Sequence, residues 1–307
     1  MKIIILSLIV GLLSIANSYS QEFEEIKVNT YKDNDSGKVV ADCGTDLEFD
    51  EDNGLIIHTK TQKPYTGRCR SYYEDNSPER VVDFVDGKED GMSLTWYKSS
   101  PESPNMQLMV RTNHNMGVPD GVWDFYYENG QRAWTETYKE GLKHGNCNYY
   151  YEDGKPKKEE VYKDNLKDGN CKEYYPDNKI KSEIGYKAGV MDGQYKSYYE
   201  NGQISYEGKF TNGKENGEVV TYYEKGQMSS QGFFKGGIAD GEFRTWYDDS
   251  KEKSITKFVN GKRDGTSREF YKDGQVKKIE KWVAGKRMDI EAFDEFGNKL
   301  DPDEIKN

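Results

Sequence analysis

Residues 193–216 read GQYKSYYENGQISYEGKFTNGKEN. A strand-like run ends at Tyr199, Asn201-Gly202 follows, and a second run leads to Phe210. Asn-Gly between two such runs predicts a two-residue type I′ hairpin, because both central residues of that turn need positive φ. A second turn, from Asn212-Gly213 through Asn216-Gly217, closes the segment. The unit is one β-hairpin plus a connecting turn.

The same unit recurs along the chain. It starts at Gly67, Gly91, Gly121, Gly145, Gly169, Gly193, Gly217, Gly241 and Gly265, and a tyrosine stands six residues after each glycine, from Tyr73 to Tyr271. Successive glycines are 24 residues apart except Gly91 to Gly121, which are separated by 30. A fixed period of this size marks a solenoid-like array. The expectation is an all-β, elongated single-sheet array of about nine hairpin repeats over residues 55–288. Two strands per unit at about 4.8 Å give about 10 Å per repeat. Function then belongs to an extended surface rather than to one cleft.

With Asn201-Gly202 as the turn, Tyr199 faces Ile204, and likewise Tyr175 faces Ile180, Tyr223 faces Met228 and Tyr271 faces Val276. These pairs share a face with Tyr149, Tyr195, Val219 and Phe243 and with the rings that close the units, from Phe84 to Trp282. That is the expected core face, and it makes Tyr199 more buried than Tyr198. The other face carries Lys172, Lys196, Arg244, Arg268, Lys157 and Lys181. Strand alternation also places a second ring row there, the residue before each fixed tyrosine. It comprises Tyr72, Trp96, Tyr126, Tyr150, Tyr174, Tyr198, Tyr222, Trp246 and Phe270. Such rings cover backbone and lysine stems, or they form a binding row for an extended peptide or a glycan. Trp96 to Phe270 are the candidate binding residues.

The ends differ from the array. Met1 and Lys2, an apolar run from Ile3 to Ile15 and small or polar residues to Ser20 form a signal peptide over residues 1–20, and its apolar core is too short for a membrane span. The mature protein is expected to be exported: periplasmic, envelope-associated or secreted. Residues 21–54 carry eleven acids against three lysines, -8, and residues 289–307 carry seven against two, -5. Removing both, and Lys2, from the total of -11 leaves residues 55–288 at +1. An array without net positive charge has no strong pull toward nucleic acid or anionic lipid. Residues 44–66, with Leu47 and Phe49 before Asp52-Asn53-Gly54, resemble a degenerate capping hairpin, and residues 289–300, with Phe293 and Phe296, resemble the other cap.

The segments YKEGLKHG at 138–145, FTNGKENG at 210–217 and FVNGKRDG at 258–265 resemble the MORN repeat, in its bacterial variant with Tyr-Tyr-x-x-Gly in the hairpin. The resemblance covers about residues 55–288. It implies a twisted β-sheet of hairpins and an interaction scaffold; similar members are often described as antitoxin-like, and lipid binding is also attributed to the family. The functional expectation is a non-enzymatic scaffold for a macromolecular partner, chiefly protein, and the resemblance implies an antitoxin- or immunity-like role. The alternative is a glycan- or lipid-binding envelope protein that uses the ring row.

No cofactor, metal or catalytic constellation is expected. His58, His114 and His144 form no metal motif, and the acidic run Asp46–Asn53 fails the EF-hand spacing. Cys147 and Cys171 occupy equivalent positions two strands apart, about 10 Å, beyond disulfide reach, so both are expected as buried thiols. Cys43 reaches Cys69 only if the first cap folds back. The extra residues around Ser99–Pro104 predict a protruding loop.

Overall fold

A computed structural model describes residues 38–98 and 106–301. The expected signal peptide at residues 1–20, residues 21–37, the expected loop at 99–104 and residues 302–307 lie outside them. The described residues are strand and turn, without helix. The chain divides into two compact units: one holds residues up to Pro119 and Phe125–Gln131, the other Asp120–Asp124 and everything from Arg132.

In the first unit, hairpins Gly67–Tyr72 with Pro78–Val85 and Gly91–Trp96 with Leu108–Asn115 repeat the predicted pattern. The predicted capping hairpin is present as Leu47–Asp50 against Leu55–His58, with Lys63–Pro64 beside it. The cap also folds back. Val40–Asp42 runs parallel to Gly67–Tyr72, setting Ala41 beside Cys69, and Cys43 is bonded to Cys69 with Cα atoms 5.1 Å apart. This strand covers an edge that would otherwise invite pairing with another chain. Ala41, Leu47, Tyr65, Cys69, Val82 and Phe84 form the core beneath it.

The second unit is a run of antiparallel hairpins at the 24-residue period. The strands pair in sequence from Gly145–Tyr150 to Lys286–Ala292. At its C-terminal end Phe293 bridges Lys299, and Leu300 donates its N–H to the carbonyl of Ala292. Phe296 stays exposed, so this cap is held by backbone pairing rather than by that ring.

The two turns exchange the roles expected of them. At Tyr199–Gly202 only Gly202 has positive φ, its N–H bonds the Tyr199 carbonyl, and Tyr199 pairs with Gln203. This is a type I turn ending in a left-handed residue, a three-residue loop. Asn201 serves it with its side chain, which accepts the Gln203 N–H at 2.9 Å. The type I′ turn lies at Asn212-Gly213, where both φ values are positive, 49° and 75°.

This shifts the register near each hairpin tip. A bulge at Ser205 sets Tyr198, not Tyr199, opposite Ile204, and the same holds for Tyr174 with Ile180, Tyr222 with Met228 and Phe270 with Val276. The expected pairs of Tyr175, Tyr199, Tyr223 and Tyr271 with those residues are therefore corrected. Each of these tyrosines instead reaches the next repeat: Tyr175 donates its hydroxyl to the Tyr198 carbonyl, Tyr199 to Tyr222 and Tyr223 to Trp246, all at 2.7 Å. Tyr151, Tyr247 and Tyr271 do the same. Each bond contributes about 1 kcal/mol, once per repeat. The fixed tyrosine is thus an inter-repeat tie. Tyr198 and Tyr199 are both half-buried, so the expected difference in burial between them is absent.

The aromatic face is otherwise as expected. Tyr195 packs on Tyr206 and Phe210, and Phe243 packs on Phe234 and Phe258, with ring centroids 5.0–6.0 Å apart. Gly232 is small because the Phe243 ring covers it: an added Cβ would lie 2.2 Å from Cε1. Lys157 and Lys181, expected on the opposite face, are bulge residues drawn to this one. Lys157 lies over the Tyr151 ring, and Lys181 pairs with Glu173.

Candidate functional site

The outer ring row occupies the last strand residue before each hairpin tip. Its environment changes along the chain. Tyr72 is exposed; Trp96 is only 4% exposed, packed with Val81, Leu94 and Leu108, with Met106 and Tyr126 against the cluster. That takes Trp96 out of the exposed row and makes it core. Tyr126, Tyr150, Tyr174, Tyr198, Tyr222, Trp246 and Phe270 are half-buried.

Two things separate Trp96 from the rest: the residue fifteen positions earlier and the flanking apolar residues Leu94 and Leu108. The earlier residue lies across the strand pair, one diagonal step from the ring, a distance at which long side chains meet. For Trp96 it is Val81, opposite Leu94. For Tyr174, Tyr198 and Tyr222 it is Glu159, Glu183 and Glu207. Tyr222 donates its hydroxyl to Glu207 at 2.8 Å, and Tyr198 to Glu183 at 3.4 Å. Where the ring has no hydroxyl, the position is no longer acidic: Gln231 precedes Trp246 and Ile255 precedes Phe270. Partial burial, then the neighbouring glutamate, pushes the pKa of Tyr174 and of Tyr222 up to about 12, and Tyr198 is raised for the same reasons.

Those glutamates also anchor charge pairs. Lys172 meets Glu183 and Lys196 meets Glu207, each at 3.4 Å. The three tyrosines therefore stand at repeat spacing, one ring edge tied to a carboxylate, beside a row of alternating charge. The arrangement offers ring faces and aliphatic neighbours for contact, because the hydroxyls are already engaged.

The aromatic face carries a feature that sequence reading missed. Glu136, Glu160 and Glu280 lie on it, each under a tenth exposed. Tyr138 and Lys143 hold Glu136; Tyr162 and Lys167 hold Glu160, at 2.9 and 2.7 Å. Burial and the adjoining carboxylates push the Tyr138 and Tyr162 hydroxyls well above their ordinary range. The signal was available: each acid stands two residues before a closing ring and seven before a basic residue, Lys143, Lys167 or Arg287. Cys147 and Cys171 are buried thiols, as expected, and burial raises both pKa values.

The histidines have structural roles. His114 fills a closing-ring position opposite Gly91 and meets Glu89 at 3.2 Å. In other repeats the Asp or Asn before the starting glycine caps the next type I′ turn, as Asp192 does for the Asn212 N–H. His144 replaces that group and pairs with Asp164 of the same turn. Among the described residues no group of three or more His, Cys, Asp or Glu is arranged to hold a metal ion, and no helix is long and apolar enough to cross a membrane.

A family model, the MORN repeat variant, matches residues 143–164, 167–188, 191–212, 215–235 and 263–283. Residues 143–283 carry MORN repeats. The matched segments begin in register with the hairpins, and the unmatched stretch between 235 and 263 has the same strand pattern. MORN repeats are generally scaffolds for protein or membrane interaction. No curated protein matches the chain. A solved structure described as the crystal structure of TcdB2-TccC3 aligns with 73% of the chain at 12% identity and a TM-score of 0.15, the chain spanning 16% of its length. A likeness at that level carries no argument.

Proposed function

We propose that this MORN array is an exported, non-catalytic scaffold that binds a protein partner across several repeats. The observation that carries this reading is the recurrence of half-buried Tyr174, Tyr198 and Tyr222, one per repeat, opposite Ile180, Ile204 and Met228 and beside the Lys172–Glu183 and Lys196–Glu207 pairs. Aromatic anchors commonly dominate binding energy at protein interfaces. Their hydroxyls are directed to glutamates, which favours a partner that packs on ring faces over a glycan that needs free donors. The antitoxin-like character of similar proteins would make that partner a toxin. Export is supported by the residue 1–20 pattern and by the Cys43–Cys69 bridge, a bond that persists in oxidising compartments.

The experiment is capture of partners from the producing cell envelope with the mature protein and with the variant Tyr174→Ser/Tyr198→Ser/Tyr222→Ser. The triple variant should lose the partner while each single change weakens capture only modestly. Full capture by a triple variant with an unchanged melting temperature would exclude the row as the recognition surface.

A further inference from the structure

The aromatic face is interrupted in the repeat that starts at Gly265. Where the preceding repeat places Phe243, this repeat places Ser267, opposite Glu280; Glu269 lies opposite Lys278. The missing ring leaves a recess of about 190 Å³ lined by Lys253, Ser254, Thr256, Arg263, Ser267, Glu269, Lys278 and Glu280 and by the backbone around Arg268. Arg268 itself pairs with Ile279 and Ile255, which turns its side chain to the other face.

Positive charge dominates the recess. Glu280, with its side chain 6% exposed, lies 3.3–3.7 Å from Arg287, Arg263 and Lys278. Glu269 meets Lys277 at 2.7 Å and Lys278 at 3.4 Å. Burial opposes the Glu269 charge, but the two lysines outweigh it and hold its pKa below the ordinary range, so the acid is ionised. Lys253 lies over the Tyr247 ring at 5.6 Å, with no carboxylate paired to it among the described residues. Lys253, Arg263 and Lys278 line the recess with the two carboxylates, and Lys277 and Arg287 neutralise those carboxylates from its rim, in a half-enclosed site where charge is less screened than in open water.

Resting on the scaffold reading above, we propose that this recess receives carboxylate side chains from an acidic peptide segment of the partner. Arg263 stacks on Trp282 at 5.0 Å while engaging Glu280, so its planar fork is already used and the free charge is that of lysines. Lysine ammonium groups act as point charges, which a carboxylate side chain meets without needing a matching fork. The cation excess is also local, because residues 55–288 sum to only +1. A nucleic acid or an anionic membrane would need a continuous basic track.

The test is fluorescence anisotropy of labelled hexaglutamate with the mature protein, alongside hexalysine and a sulfated oligosaccharide. Lys253 has no carboxylate to strand, so Lys253→Gln should leave the melting temperature unchanged and weaken hexaglutamate about fivefold, and Lys253→Glu by more than about tenfold. Lys257→Gln makes the same charge change on the opposite face and should shift affinity less than about twofold. Equal effects of the Lys253 and Lys257 changes, no hexaglutamate binding, or Lys253-dependent binding of the oligosaccharide alone would overturn the proposal. The readout needs no natural partner and leaves the tyrosine row intact. Hexaglutamate binding that survives in the triple tyrosine variant while partner capture survives too would contradict the scaffold surface and not the recess.

Discussion

Trp96 and Tyr198 occupy the same position in their respective repeats, yet one is core and the other is half-buried. Trp96 lies diagonally from Val81, among Leu94 and Leu108, and is 4% exposed. Tyr198 lies diagonally from Glu183, beside the Lys196–Glu207 pair, and is half-buried. The backbone is identical in kind; the residue fifteen positions earlier and the flanking residues differ. One repeat position can therefore hold a core ring in one repeat and a half-buried ring in another.

The largest separation of the two regions is expected in stability. Trp96→Ala should cost about 4 kcal/mol, the range for an enclosed large ring, whereas Tyr198→Ala should cost about 1 kcal/mol. Denaturant unfolding measures both, and equal costs would break the comparison. The next effect is confined to the first unit. Cys43→Ser/Cys69→Ser should destabilise it by about 3 kcal/mol and increase hydrogen exchange at Val40–Asp42, while Gly145–Val283 exchanges unchanged.

A smaller effect sharpens the surface end. A double-mutant cycle of Tyr222→Phe and Glu207→Gln should give a coupling of about 1 kcal/mol, and the same cycle with Tyr222 and Glu183 should give none. Smaller still is the alkaline response. The folded-state pKa of Tyr174 and of Tyr222 is about 12, above the ordinary value of about 10. The stability they supply is complete below pH 10 and is lost as pH rises through 12. Phenolate absorbance should show a late step near pH 12 that Tyr174→Phe/Tyr222→Phe removes.

The hairpin period and the array were legible because glycine and tyrosine recur at fixed phase, and the caps because apolar residues such as Leu47 and Phe293 flank turn residues beyond it. Turn types were less so. Asn-Gly suits both turns, and only the number of positive-φ residues separates them. Pro176, inside the turn Tyr175–Asn178, carried the deciding information: flanking a type I′ turn at Asp177-Asn178 it would lack the N–H that the closing pair needs, whereas its fixed φ suits the first central position of a type I turn. Once that turn is three residues long, Tyr198 rather than Tyr199 meets Ile204. The buried acids were missed because Glu160 reads as a surface residue until Lys167 and Tyr162 are placed around it. For the ring row, alternation gives the face correctly, but exposure depends on a diagonal neighbour in another strand, and pairing register is needed to find it.

The most direct measurement uses the two tryptophans of that row as reporters. Trp96 follows Val81 and Trp246 follows Gln231 at the same fifteen-residue offset. In single-tryptophan variants that keep one or the other, with the remaining four replaced by phenylalanine, emission and acrylamide quenching report each environment. The account predicts blue-shifted, weakly quenched emission from Trp96 and red-shifted, strongly quenched emission from Trp246. Indistinguishable quenching, or a Trp246 better protected than Trp96, would contradict it.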